Sequence, residues 1–412
     1  MTGRYPISLG IQHNVFQPRT PECLSTNQHL LPDVVKSNGY ATHMVGKWHL
    51  GYNKWKCLPC RRGFDSWLGF TQGYIEYVSH IVDDYPDLLQ CSEDGDTGLQ
   101  FKTLGELKGK YSMDIYEERA KNIIEDHDDE VPLFLYLALQ APHYPYYAPI
   151  RYMDEDCGGD RCVMQGMVRA IEGTMEGVIN KMKTKGMWKD TILIFHSDNG
   201  AENSTFQSNY PLRGYKQHLW EGGVRTAAFV YSPNQQIMPN RGHSNSLIHV
   251  SDWFKTIITM SGGWDNWKAE GKIFPDDLDS IDQTRHILYG EEGARTNIML
   301  HIDPVDRVAA YIKYDYKLLI GEISNHVSCS TSQVYPLDID CLDMSQIQLY
   351  NIRDDPSERT DVWGDYPDIV NEMTGDLLSY LSHQKPLQCQ FKSDPDGFPS
   401  SVVPFYLPWD FS

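Results

Sequence analysis

Long apolar runs are absent from this 412-residue chain. The longest, Leu133 to Ala141, is interrupted by Tyr136 and Gln140 and falls well short of the ~20 residues a membrane helix needs. No membrane span is expected. Positive charge is scarce, with 36 lysines and arginines against 56 aspartates and glutamates, for a net charge of −20. No local basic cluster offsets that balance, so phosphate backbones are repelled and nucleic acid is not expected as a partner. Repeats and low-complexity tracts are also missing. Zinc-site spacing is lacking too: Cys57 and Cys60 form one C-x-x-C with no second pair, and no H-x-x-x-H occurs. The opening residues, Met1 to Pro6, are polar, whereas an exported chain opens on a basic and then apolar segment.

What remains is an ordinary globular composition, 41% hydrophobic and 22% charged. The length allows two to three domains at ~150 residues each and a large core. Nine cysteines are scattered at 23, 57, 60, 91, 157, 162, 329, 341 and 389. The odd number and wide spread fit an exported disulfide set with one partner missing or one thiol free. Buried thiols of a cytosolic protein remain the alternative. The sequon Asn203-Ser204-Thr205 is compatible with export and glycosylation.

Short apolar runs bounded by turn residues read as buried strands of a parallel sheet: Ala41 to Val45, Leu133 to Leu139, Thr191 to Phe195 and Ala227 to Tyr231. Between them, Tyr116 to Ile124, Met164 to Met182 and Val250 to Met260 place apolar residues at three- and four-residue spacing, as helices do. This alternation predicts an open α/β sheet with helices on both faces over residues 1–296. From residue 297 the texture changes. Asn297 to His301, Ala309 to Tyr314, Lys317 to Ile320 and Gln348 to Ile352 read as hairpin strands, followed by a helix near Ile369 to Leu381. A smaller α+β domain over residues 297–412 is expected, with the linker at Gly290 to Arg295.

Ligands of open α/β sheets bind beyond the carboxyl ends of the strands. One strand candidate ends in Asp198-Asn199-Gly200, whose hard oxygen donors suit calcium or magnesium, although an Asx turn would use the same residues. Another leads into Gly46-Lys47-Trp48-His49-Leu50-Gly51, where Lys47 can hold an anionic oxygen and His49 can move a proton, with Trp48 packing inward. Pro142 and Pro145 flank His143 beyond a third run and restrict the backbone around it. Lys216, ahead of the Gly222-Gly223 pair and the run at Ala227, is a second anion clamp. Cations, imidazoles and one metal-type pair converging on strand ends point to hydrolysis of a small oxyanion ester, sulfate or phosphate.

The run Gly39 to Gly51 resembles the second signature of the sulfatase family. In family order follow Arg61-Arg62-Gly63-Phe64-Asp65, Pro132 to Gln140, Ser197 to Gly200, Leu219 to Arg225, Ile248 to Trp253 and Asp354 to Arg359. The match spans nearly the whole chain and is best with arylsulfatase B and its arylsulfatase I and J relatives. The resemblance implies an alkaline-phosphatase-like α/β fold, with a mixed, mostly parallel sheet and a C-terminal antiparallel one. It also implies a lysosomal or secreted sulfuric ester hydrolase acting on N-acetylgalactosamine 4-sulfate units of glycosaminoglycans or on aryl sulfates. Carried over by position, Asp198 and Asn199 are calcium ligands, Lys47 and Lys216 hold sulfate oxygens, His143 protonates the leaving alcohol, and His49 assists sulfate release.

The family's nucleophile is a formylglycine, made from the cysteine of C-x-P-x-R by the formylglycine-generating enzyme. Here Cys57, Pro59 and Arg61 have that spacing but follow Lys47, whereas the family's motif precedes it. The resemblance therefore implies that Cys57 is a disulfide cysteine, paired with Cys23. It also implies that the nucleophile, a first strand and its paired aspartates would stand upstream of Thr2-Gly3-Arg4-Tyr5. On that reading the chain is a truncated, inactive copy, marginally stable when expressed alone. The alternatives are a non-catalytic homologue that binds sulfated glycans and a phosphoesterase of the same superfold. The latter needs more His and Asp ligands for two metals than Asp198 provides.

Overall fold

The structure, a computed structural model, describes the chain except residues 95–97, 241, 274, 324–333, 336–341, 382–384, 386, 389–393, 398, 400–404 and 410–412. Strand β1 (Ala41–Lys47) sends successive side chains to opposite faces. Met44 joins Phe64, Trp67 and Leu89, whereas Val45 joins Leu68, Phe70, Met113 and Tyr116. Both faces must then be covered, and helices cover them. On the Val45 side lie α2 (Ser112–Asp126) and α3 (Asp160–Lys185). On the other, α1 (Leu31–Ser37) and α4 (Asp252–Met260) pack through Val34, Val35, Phe254 and Ile258, with Phe134 bridging to the Met44 cluster. Met113, Tyr116, Ala120 and Ile124 form the buried stripe of α2 at helical spacing. Helix α3 stops at Gly186, which takes a φ of 82° and donates its N–H to the Lys183 carbonyl.

The main sheet has the order β4-β3-β2-β1-β5, with β2 (Ser66–Phe70), β3 (Leu89–Asp94), β4 (Gly98–Thr103) and β5 (Leu133–Ala138). Strands β2, β1 and β5 run parallel, in a register that sets Gly46 between Gly69 and Ala138. The β3–β4 hairpin adds antiparallel to β2, so the sheet is mixed.

One expectation is corrected. The runs at Thr191 and Ala227 do form strands, β6 (Leu193–His196) and β7 (Ala228–Tyr231), but not as buried members of the parallel sheet. They pair antiparallel with each other and share no ladder with β5. The physical reason is visible in their surroundings: Ala228, Phe229 and Tyr231 are all exposed and only Val230 is half-buried, so β7 lacks the two-sided cover of an interior strand. Phe195 stacks on Phe229 across the pair, at 5.1 Å between ring centroids.

The C-terminal sheet is an antiparallel meander, β8 (Asn297–Asp303), β9 (Val308–Lys313), β10 (Tyr316–Ile320) and β11 (Ile347–Asn351). Helix α5 (Pro367–Leu381) covers one face through Val370, Met373, Leu377 and Leu381. Tyr5 and Ile7 enter that same cluster, so the start of the chain packs with its C-terminal third. The opposite face, with Ile298, Ala310 and Leu319, meets Trp220.

Three disulfides join Cys23 to Cys57, Cys60 to Cys91 and Cys157 to Cys162. Cys329, Cys341 and Cys389 lie outside the described residues. Among the described residues no helix is long and apolar enough to cross a membrane.

Candidate active site

Lys47 is delivered by the end of β1. Gly46, at φ 105°, precedes it, and a Cβ there would run into the Ala138 carbonyl of β5. Only glycine lets the strands approach this closely where the chain turns out of the sheet. Trp48 then packs inward as its sequence position suggests, donating its indole N–H to the Gly51 carbonyl at 3.1 Å. His49 adopts a left-handed φ of 51°. Its Nε2–H donates to the Phe16 carbonyl at 3.0 Å, which leaves Nδ1 as the ring's acceptor. Burial, then the nearby charge of Lys47, pushes its pKa down to about 4. Burial also lowers the pKa of Lys47, with Asp198 opposing and Lys216 adding to the effect.

His143 sits in the loop beyond β5. Its Nδ1 bonds the Tyr144 carbonyl at 2.6 Å, so that nitrogen carries the proton and Nε2 is left as the acceptor. Nε2 faces the Lys216 ammonium at 3.1 Å. Burial depresses the His143 pKa, and the cations Lys216 and Lys47 depress it further. Lys216 also reaches Glu202 Oε1 at 3.3 Å. The other oxygen of Glu202 accepts the Tyr146 hydroxyl at 2.7 Å, a bond that leads the lowering of the Glu202 pKa.

Asp198 and Asn199 follow β6. Asp198 Oδ1 accepts the Asn199 N–H at 2.9 Å, and the Asn199 amide nitrogen donates to the Gly200 carbonyl at 2.9 Å. Neither bond closes an Asx turn, because the Gly200 N–H donates to the Gly223 carbonyl, and both leave Asp198 Oδ2 and Asn199 Oδ1 as hard donors. Two such oxygens fit a calcium site in kind and supply part of the six to eight that calcium takes. Gly200 lies against the Gly222 carbonyl so closely that no side chain fits. That contact holds the turn against the loop carrying Lys216.

All six residues singled out in the sequence, Lys47, His49, His143, Asp198, Asn199 and Lys216, line one cavity of about 2050 Å³. Glu202 and Tyr146 were missed. An acid four residues beyond Asp198 was the one available signal, and it does not say that Lys216 would return to it. Two motifs read alongside the site turn out to be scaffolding. Glu221 of the Trp220-Glu221-Gly222-Gly223 stretch and Glu358 of the Asp354–Arg359 stretch both hold the Lys317 ammonium, at 3.0 and 2.9 Å. Lys317 and Glu358 are fully buried, so this network ties the C-terminal sheet to the loop beneath the cavity.

The sulfatase family model matches residues 1–263. Arylsulfatase J of Mus musculus is 32% identical over 99% of this chain, which spans 71% of that protein. The chain belongs to the sulfatase family. N-Acetylgalactosamine-6-sulfatase of Mus musculus is 28% identical over 64% of this chain, which spans about half, 52%, of that relative's length. Among solved structures, Ps i-CgsB in complex with k-i-k-neocarrahexaose superposes with a TM-score of 0.76 at 22% identity. That likeness covers 96% of this chain and 83% of the other, and it shows the shared fold.

Membership makes Cys57 a test case, since it alone has the C-x-P-x-R spacing in this sequence. It is fully buried and bonded to Cys23. Among the described residues every cysteine is in a disulfide. The residues here do not fit a formylglycine at Cys57.

Proposed function

We propose that this sulfatase-family chain binds sulfate monoesters of glycans, with Lys47 and Lys216 on the sulfate oxygens and His143 serving the bridging oxygen of the ester. The observation that carries this is the 3.1 Å approach of Lys216 Nζ to His143 Nε2 in a shared cavity. Two lysines beside an imidazole, with the pKa of Lys47 and of His143 lowered by burial and by neighbouring cations, form a site waiting for an anion. A bound sulfate supplies negative charge, which raises the His143 pKa and favours a proton on Nε2, where the leaving alkoxide needs it. His49, held by Phe16, keeps Nδ1 available to take a proton at pH 7, which supports a role in sulfate release. Asp198 and Asn199 would hold calcium, which when bound polarises sulfate oxygens as a Lewis acid.

The substrate class we infer is N-acetylgalactosamine 4-sulfate in glycosaminoglycans, or simple aryl sulfates. Similarity to arylsulfatase J and N-acetylgalactosamine-6-sulfatase supports it, as does a cavity roomier than the ~300–1,000 Å³ of drug-sized sites. Three disulfides support an oxidising compartment, hence a lysosomal or secreted protein. The disulfide at Cys57 favours a second reading, a homologue that binds sulfated glycans without turnover. One experiment separates the two. The purified chain is titrated with a sulfated N-acetylgalactosamine oligosaccharide while sulfate release is followed, with the phosphate ester of the same sugar as control. Saturable binding with release supports hydrolysis, and binding without release supports the second reading. Absence of binding, or preference for the phosphate ester, overturns both.

A further inference from the structure

A second cluster of ligating side chains lines the same cavity and shares no residue with the group around Lys47. His13 follows the short helix Pro6–Leu9, Asp303 ends β8, and Asp306 sits in the turn before β9. Each offers one ligand atom, and the three atoms lie within 4.8 Å of one another. His13 and Asp303 are 6% and 2% exposed, while Asp306 is half-buried at the cavity wall.

The Asp303 carboxylate is held from behind. Its Oδ1 accepts the backbone N–H groups of Val305 and Asp306 at 2.8 and 3.3 Å. That fixes Oδ2 on His13 Nδ1, 2.5 Å away, with His301 Nε2 at 3.8 Å on its flank. A ligand whose second oxygen is already engaged loses little freedom on binding an ion. Around a tetrahedral ion with ~2.0 Å bonds, neighbouring ligand atoms stand ~3.3 Å apart. The present spacings, from a hydrogen-bond distance up to 4.8 Å, straddle that value and need shifts of about 1 Å or a little more.

We propose that His13, Asp303 and Asp306 form a binding site for a first-row divalent transition metal, zinc above all. One imidazole nitrogen with two carboxylates is a borderline donor set, unlike the all-oxygen shell that calcium requires. This goes beyond the sulfate-binding reading and does not depend on it. The ion would clamp the segment around His13 to the C-terminal sheet, two parts of the chain 290 residues apart. That segment carries Phe16, whose carbonyl holds His49, so the clamp would also steady the sulfate end of the cavity.

The test uses the whole chain freed of metal with a chelator, then titrated with Co²⁺ and followed by visible d–d absorption and by calorimetry with Zn²⁺. One equivalent taken up at micromolar affinity or tighter is expected. Both His13→Ala and Asp306→Asn should weaken it by at least ~10-fold, and Asp198→Asn should leave it unchanged. Asp306 is half-buried in a turn, so its variant should keep the wild-type melting curve in chelator and decides the matter even if His13→Ala fails to fold. No saturable uptake, or uptake that survives in Asp306→Asn, overturns the proposal. So does uptake lost in Asp198→Asn alone.

Discussion

Lys216 Nζ and His143 Nε2 stand 3.1 Å apart, an ammonium donating to an imidazole that is thereby kept neutral. Each residue sets the other's chemistry. Lys216→Met should raise the His143 pKa, because a neighbouring cation that disfavours its charged form has gone. Histidine proton resonances followed against pH check this. The same variant should weaken binding of a sulfate monoester by at least ~10-fold, the loss of one charge-assisted contact.

Inorganic sulfate should stabilise the folded chain. At ~100 times its dissociation constant a ligand specific to the native state adds about 2.7 kcal/mol, a rise of several degrees in Tm. Lys47→Ala should abolish most of that rise without lowering Tm in sulfate-free buffer by a comparable amount. Equal sulfate effects in the two proteins would place the anion elsewhere.

Lys317 is fully buried between Glu221 and Glu358. Lys317→Met leaves two carboxylates without their cation and should cost ~3–5 kcal/mol, read from chemical denaturation. Replacing Glu221 and Glu358 by glutamine in the same chain should recover part of the loss.

Stability should fall on acidification. Burial pushes the pKa of His43 and of His249 to about 4, against ~6.5 in an unfolded chain. Between those values the unfolded state binds more protons, so ΔG of unfolding rises with pH. The contribution of these histidines is complete above ~6.5 and drains away as pH drops toward 4. Melting curves at pH 7.5 and 5 should show the drop, with a shallower slope in His43→Gln.

Peptide mass spectrometry without reduction should find Cys57 linked to Cys23 and unmodified. The bridge closes a loop of 34 residues and contributes about 3–4 kcal/mol on the chain-entropy view. The Cys23→Ser, Cys57→Ser double variant should lose stability of that order.

Strand ends were the readable part of this protein. Lys47, His143 and Asp198 each stand just past an apolar run next to glycine, proline or asparagine, and with Lys216, which lies well ahead of the run at Ala227, they reach one cavity. The C-terminal strands and α5 were legible because apolar stretches and turn residues alternate cleanly there. The β3–β4 hairpin was not, since Gln90, Ser92, Gln100 and Lys102 dilute its apolar pattern. Nor could the antiparallel pairing of β6 with β7 be read, because four apolar residues look alike in a wide sheet or a ribbon. Lys317 gave no sign of burial at all, as its partners are 96 and 41 residues away in sequence.

Strand β5 closes one margin of the main sheet, and among the described residues only β1 pairs with it. Its sequence, Leu133 to Ala138, has no lysine, proline or other blocker, and Tyr136 is 39% exposed. A row of unshared amide and carbonyl groups beside such side chains is a template for another extended peptide. Copies of the chain crowded together would graft strand to strand along this seam, so its lifetime in solution would shorten as concentration rises.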